Sequence, residues 1–321
     1  MKELFNNGWL FSKIHLESAD QKINLETLPA TLKDADFSPV EIPHDWLIYN
    51  TNDLYENSVG IYKKEFSVSK ESLQCSRFFL RFEGIYMDSS IFLNGEKIFE
   101  WKYGYTTFEV DLTPFLKAGA NTISVCAVYR SPNSRWYSGA GIYRNVWLIT
   151  TAKAHIVQDG ISWKTEKISD NSYKLNVLTE TFFHSKDKTS RELFEGIIIH
   201  TLYESKKAGN QIVCADKIAQ TEKDVSINSL FTDDNPYFFA DNQNLFSKTL
   251  QVLELQNIKE WNTDEPNLYL LKTELISKDG KTVDSSIIRV GFCTQEFDSD
   301  KGFFLNGKHT LPLPRSRCRC I

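Results

Sequence analysis

The sequence predicts an all-β protein built as two consecutive β-sandwiches, and three observations carry that expectation. Apolar and polar residues alternate with period two in segment after segment. Turn-forming pairs and Gly- or Pro-bearing clusters punctuate those segments at short intervals. No long stretch repeats apolar residues at the i, i+3, i+4, i+7 spacing of an amphipathic helix, so an alternation of strands and helices is not expected. The 321 residues, 41% of them hydrophobic, suffice for two cores.

Taken in chain order, the first informative element is Glu41-Ile42-Pro43-His44-Asp45-Trp46. It reads as a structural corner in which Asp45 hydrogen-bonds backbone and Trp46 packs. His44 and Asp45 are adjacent on an extended segment and therefore point to opposite faces, which argues against an acid–base pair. In residues 77–83, Phe78, Leu80 and Phe82 point one way, while Arg77, Arg81 and Glu83 share the other face with Phe79. Asn94-Gly95 supplies the positive φ angles of a tight hairpin. Residues 121–130 place Ile123, Val125, Ala127 and Tyr129 on one face. A loop from Asn133 to Gly141 leads into a strand over 145–151, and the handover that follows sets the end of a first domain, 1–152.

The second domain, 153–297, opens with strands of more charged character. In 173–180 Tyr173, Leu175 and Val177 oppose Lys174, Asn176 and Glu180. The polar stretch from Thr221 to Gln243, with Asp233-Asp234-Asn235-Pro236 inside it, reads as an exposed loop. Trp261 to Tyr269 reads as a loop that ends in a strand, and Asp279-Gly280 as a turn. Asp298-Ser299-Asp300-Lys301-Gly302 begins like a calcium loop but lacks the further carboxylates an oxygen cage needs, which leaves a turn. Phe303 to Gly307 then reads as a strand entering a hairpin. Residues 298–321 would begin a third domain, yet Pro312, Pro314 and the Arg315-Ser316-Arg317-Cys318-Arg319-Cys320 run neither pair in a ladder nor build a core, and predict a disordered tail.

Composition excludes several classes of function. A net charge of -5 gives no broad basic field, so neither nucleic acid nor anionic lipid is an expected partner. No run of about 18 uncharged apolar residues exists to form a membrane-spanning helix. The first residues hold no apolar signal-peptide segment, which makes the cytoplasm the expected compartment. The 6 cysteines are scattered, as reduced structural thiols would be. Cys318 and Cys320, with His309 as the nearby histidine, fall short of the ligand set of a structural zinc site. No metal and no cofactor are expected.

The run from Ser134 to Trp147 carries the richest chemistry. Gly139 and Gly141 permit sharp turns, and Arg135, Trp136 and Tyr137 combine a fixed charge with broad aromatic faces suited to gripping a sugar ring. A packing reading stands beside it. Trp136 and Tyr137 would then cap the sandwich end and Arg144 would brace a neighbouring strand, and composition alone favours this reading. There is no nucleophile elbow and no Gly-rich phosphate cradle. Read without reference to other proteins, these residues show no reaction centre.

Four stretches together resemble the N-terminal sugar-binding domain of glycoside hydrolase family 2, with bacterial β-galactosidases the nearest in kind. They are Ile42 to Trp46, Gly60-Ile61-Tyr62-Lys63-Lys64-Glu65-Phe66, Phe82 to Asp88 leading to Asn94-Gly95, and Ser134 to Trp147. Trp261 to Tyr269, Arg289-Val290-Gly291-Phe292, Glu296 to Asp298 and Lys301 to Lys308 are similar to the end of that family's second domain and its passage into the third. The resemblance runs in order over roughly residues 1 to 308. It implies a jelly-roll sandwich of galactose-binding type over 1–152 and an immunoglobulin-like sandwich over 153–297.

The family's third domain is a (β/α)₈ barrel, about 250 residues in such folds. Two glutamates on it hydrolyse β-glycosides with retention. The resemblance finds no counterpart of either in these residues, so no catalytic residue is expected here and no hydrolysis by this chain alone. After Lys308 the family pattern stops abruptly, which suggests a frameshift or premature truncation. Translation of the downstream DNA in the other two frames tests this, and absence of barrel-like sequence there would sink the frameshift version.

The resemblance also implies substrate-side roles for Asp45, Asn133, Arg135 and Trp136, because first-domain loops of the family reach the barrel's mouth. The implied ligand is a β-galactoside or a related carbohydrate. Galactoside, glucuronide and mannoside specificity would be set by barrel residues. If these residues instead only pack against a barrel, then without that partner they would form an exposed aromatic patch that favours association. Two other functions compete with the hydrolase-fragment reading. One is a lectin-like carbohydrate-binding module, and the other a structural subunit that complements a separately encoded barrel.

Overall fold

The computed structural model describes residues 1–184, 194–227, 229–230 and 244–310. The chain divides into two compact units that follow one another in sequence at Thr151 and Ala152.

The first unit contains β1 (Lys2–Leu4), β2 (Trp9–His15), β3 (Ser38–Val40), β4 (Ser58–Val68), β5 (Ser76–Phe82), β6 (Ser89–Leu93), β7 (Glu96–Trp101), β8 (Phe108–Asp111), β9 (Gly119–Tyr129) and β10 (Val146–Ala152). They form a six-stranded sheet in the order β3-β2-β4-β9-β6-β7 and a four-stranded sheet in the order β1-β10-β5-β8. The chain switches sheets from β4 to β5, back to β6, and again around β8, the wrapping of a jelly roll. Asn94 (φ 53) and Gly95 (φ 88) turn β6 into β7, as Asn-Gly does in type I′ hairpins.

Period two explains the core. Ile123, Val125, Ala127 and Tyr129 of β9 enter the space between the sheets with Trp9, Tyr62, Leu80, Phe82 and Leu148. Cys126 and Val128 point the other way and are also buried, against Leu16, Leu28, Val59 and Ile61. The large sheet is thus covered on both faces, the outer one by the segment after β2. Gly60 on β4 is required by close packing. A Cβ there would fall 2.3 Å from the Trp46 ring, which is 2% exposed and donates from Nε1 to Ser58 Oγ at 2.9 Å. Gly60→Ala is therefore expected to lower the stability of this unit by about 1–3 kcal/mol. Urea denaturation followed by hydrogen exchange in β4 and β9 measures it, and an unchanged midpoint would show that Trp46 can move aside.

The polar face of β5 is itself covered. Arg77 does not face solvent: its side chain is 2% exposed and pairs with Asp111 on β8, whose side chain is 4% exposed. Central strands bury both faces, and period two cannot announce that the polar face will be covered.

The second unit is a sandwich of β11 (Ala154–Ser169), β12 (Ser172–His184), β13 (Phe194–Ala208), β14 (Gln211–Ile227), β15 (Ser229–Leu230), β16 (Asn244–Leu255), β17 (Tyr269–Ser277) and β18 (Thr282–Val290). Its sheets run β11-β12-β16-β15 and β14-β13-β17-β18, four strands each, an immunoglobulin-like arrangement. The expected alternation in β12 is present, with Tyr173, Leu175 and Val177 in the core. Further along the same inward rows the core turns polar. On β13 the inward series is Leu202, His200, Ile198, and on β17 it is Leu271, Thr273, Leu275, all at most 0% exposed. A layer of His200, Thr179 and Thr273 therefore lies between two apolar clusters.

The polar stretch beginning at Thr221 is also corrected. Residues 221–227 continue β14, paired with β13 from Phe194 to His200, because Val225 and Ile227 alternate inward between polar neighbours. Residues 231–243, including Asp233 to Pro236, lie outside the described residues, as do residues 311–321 with Cys318 and Cys320.

β19 (Gln295–Asp298), β20 (Gly302–Leu305) and β21 (Lys308–His309) form a small three-stranded sheet. The turn before β20 is closed by Asp298 Oδ1, which accepts from the backbone of Asp300 at 2.9 Å and Lys301 at 2.8 Å. Asn306 (φ 51) and Gly307 (φ 74) make the expected hairpin.

Candidate functional site

The run Ser134–Trp147 covers the end of the connection between β9 and β10 and the first two residues of β10, and the corner at Asp45 holds it. Asp45 caps the short 3₁₀ helix Trp46–Tyr49, its Oδ1 accepting from Leu47 N at 3.1 Å and from Ala140 N at 2.9 Å. Its Oδ2 accepts from the Tyr137 hydroxyl at 2.6 Å. Backbone bonds from His44 N to Ile142 O and from Trp46 N to Ala140 O, 2.8 and 3.2 Å, complete the seam. The glycines allow it. Gly139 (φ +72) and Gly141 (φ +110) are left-handed, and a Cβ on Gly141 would meet the Tyr62 hydroxyl at 2.3 Å.

The corner behaves as the sequence predicts. Trp46 is buried, and His44 turns away from Asp45 into the core, where its Nδ1 lies 2.8 Å from the Tyr62 hydroxyl. Burial lowers the His44 pKa, which keeps the imidazole neutral near pH 7. The Tyr137 hydroxyl is held protonated, first by burial and then by its bond to the Asp45 carboxylate.

The candidate residues divide by what they face. Asn133 spends its amide within the loop: Nδ2 donates to Arg130 O at 2.8 Å and Oδ1 accepts from Ser138 Oγ at 3.5 Å. Asp45 likewise uses both oxygens internally. Arg135 is exposed and makes no hydrogen bond or ion pair among the described residues. Trp136 is 61% exposed and does not enter the core. Its indole is nevertheless held, with Nε1 donating to the Tyr105 hydroxyl at 3.0 Å.

Tyr105 was not singled out by sequence reasoning. It stacks edge-on with Tyr86 at 5.1 Å and with Tyr103 at 5.7 Å between ring centroids. The available signal was the Tyr103-Gly104-Tyr105 cluster, and in the fold a Cβ on Gly104 would fall 2.3 Å from the Tyr86 ring. The result is an exposed aromatic array of Tyr103, Tyr105, Trp136 and Tyr137, with the exposed Arg135 next to Trp136 in sequence. Such an array can stack on a sugar face and hydrogen-bond its hydroxyls. Among the described residues no three His, Cys, Asp or Glu side chains gather to hold a metal ion.

Residues 15–152 match the family model "Glycosyl hydrolases family 2, sugar binding domain", and residues 154–292 match the model "Glycosyl hydrolases family 2". The chain is 30% identical over 318 residues to Beta-galactosidase BoGH2A of Bacteroides ovatus, covering 95% of this chain and 33% of that protein. It is 30% identical over 321 residues to a putative beta-glucuronidase of Formosa agariphila, covering 97% of this chain and 33% of the relative. The chain thus spans about a third of the length of these curated relatives. Its fold superimposes with a TM-score of 0.74 on a glycosyl hydrolase family 2 member from Bacteroides cellulosilyticus, at 24% identity over 96% of this chain and 38% of that one. A putative beta-galactosidase from Bacteroides fragilis gives the same TM-score of 0.74, at 24% identity over 97% and 43% of the two chains. The chain belongs to glycosyl hydrolase family 2, and its two sandwiches are that family's sugar-binding domain and the immunoglobulin-like domain that follows it.

Proposed function

We propose that this chain is the N-terminal part of a β-galactosidase-type glycoside hydrolase of carbohydrate metabolism, and that it does not hydrolyse O-glycosidic bonds by itself. The observation that carries the proposal is the match of two non-catalytic family domains in order, on a chain that spans a third of its relatives' length. Among the described residues no segment alternates strand and helix as a (β/α)₈ barrel does. In this reading the domains are 1–152 and 153–297, and 298–321 opens the third. Arg135 and Trp136 present themselves to sugar, while Asp45 and Asn133 set the loop that carries them. The free thiols Cys75, Cys126 and Cys214 suit a cytoplasmic protein.

The test is hydrolysis of a chromogenic β-galactoside by the purified 321-residue chain, with mass spectrometry excluding a longer product. No turnover is expected, since retention needs two positioned carboxylates. Turnover that follows this chain would overturn the proposal. The exposed, hydrogen-bonded Trp136 favours a second reading, a carbohydrate-binding module. Titration with galactose and methyl β-galactoside, followed by the fluorescence of Trp136 against Trp136→Phe, separates the two.

A further inference from the structure

The second sandwich carries an outward sheet face whose side chains are ordered in an unusual way. Along β16 the outward residues are Lys248, Leu250, Val252 and Glu254, alternating with the inward Thr249, Gln251 and Leu253. Leu250 is 54% and Val252 43% exposed, on a strand whose neighbours on that face bear charges. The adjacent strand β12 answers in register. Glu180 lies opposite Lys248, Leu178 opposite Leu250, Asn176 opposite Val252 and Lys174 opposite Glu254. Each end of the face is an ion pair, Lys248 to Glu180 at 2.8 Å and Lys174 to Glu254 at 3.9 Å.

Read along β16 the order is cation, apolar, apolar, anion, and along β12 in the same direction it is anion, apolar, polar, cation. Both orders become their own complements when the strand direction is reversed. We propose that this face joins two copies of the chain about a two-fold axis lying in the interface, perpendicular to the strands and passing between Leu250 and Val252. That operation lays β16 antiparallel over β16 and β12 over β12. Lys248 of one copy then faces Glu254 of the other, Glu180 faces Lys174, and Leu250 meets Val252. A two-fold contact is made by one patch on both copies, so self-complementarity of this kind is what it requires. Near-aligned sheet packing accommodates the antiparallel strands. Polar Ser162 and Lys164 of β11 flank the apolar centre as a rim. The apolar centre is small beside the roughly 800 Å² per partner of a stable interface, so the association is weak and depends on concentration.

Sedimentation velocity over a concentration series reads the association, with far-UV circular dichroism confirming that each variant is folded. Lys248→Glu places two pairs of carboxylates face to face, and Glu254→Lys two pairs of ammonium groups. Each variant alone is expected to dimerise about tenfold more weakly than the natural chain. An equimolar mixture of the two variants restores the cation–anion contacts between copies, though not the pairs Lys248–Glu180 and Lys174–Glu254 inside each chain, and is expected to associate more strongly than either variant alone. Leu250→Ser weakens association in both backgrounds. Three results would overturn the proposal: no dimer at several hundred micromolar chain, a dimer that neither single reversal weakens, or a mixture no stronger than its components. In the second case Trp136→Ser would show whether the aromatic end of the first sandwich is the contact instead.

Discussion

Arg77→Met is expected to destabilise the first sandwich by about 3–5 kcal/mol, among the largest effects available to a single substitution here. The reason is desolvation. Arg77 and Asp111 are both almost fully buried, and each charge is compensated by the other. Removal of the guanidinium leaves the Asp111 carboxylate in the interior with one remaining donor, Thr113 N, at 3.0 Å. Asp111→Leu removes the carboxylate that the buried guanidinium pairs with and is also expected to destabilise this unit. The double variant Arg77→Met/Asp111→Leu places two apolar side chains between β5 and β8 and is expected to recover most of the loss, because a buried ion pair contributes little over an apolar pair of similar volume. Urea denaturation read through hydrogen exchange in β5 and β8 isolates this unit. A single-variant cost below about 1 kcal/mol would mean that water reaches the pair.

Acidification from pH 6.5 to 4 is expected to remove about 3 kcal/mol of stability from the second sandwich through His200 alone. His200 is 0% exposed, with its ring nitrogens 3.1 Å from Thr179 Oγ1 and 2.9 Å from Thr273 Oγ1. Burial pushes its pKa down to about 4. An unfolded histidine takes its proton near pH 6.5, so between these values the unfolded state binds more protons than the folded one. Stability is then fully present above about pH 6.5 and falls as pH drops toward 4. Carboxylates titrate over part of the same range, so the measurement is a difference: His200→Gln should show a shallower loss over this window than the natural chain. Parallel slopes would show that His200 is protonated in the folded protein.

Much of the fold was legible because strand periodicity is local. Ile123 to Tyr129 and Tyr173 to Val177 declare their inward faces by alternation, and Asn94-Gly95 and Asn306-Gly307 declare their turns by the φ angles they alone adopt cheaply. The corner at Asp45 was equally readable, since a short carboxylate before a tryptophan caps backbone wherever the chain turns. The candidate loop was located by its glycines and aromatics, but its geometry was not. Nothing local distinguishes Asn133, turned into the loop, from Arg135, turned out of it.

The sequence by itself determined the strands, the turns and the order of two sandwiches, because each depends on residues close along the chain. Only the tertiary structure decided which polar residues are buried. Arg77 meets Asp111 across 34 residues, and His200 meets Thr273 across 73. The tertiary structure also decided that Tyr105 steadies Trp136 from 31 residues away. Burial and partnership at such separations depend on which strands become neighbours in a sheet, and a period-two pattern names a face without naming what will cover it.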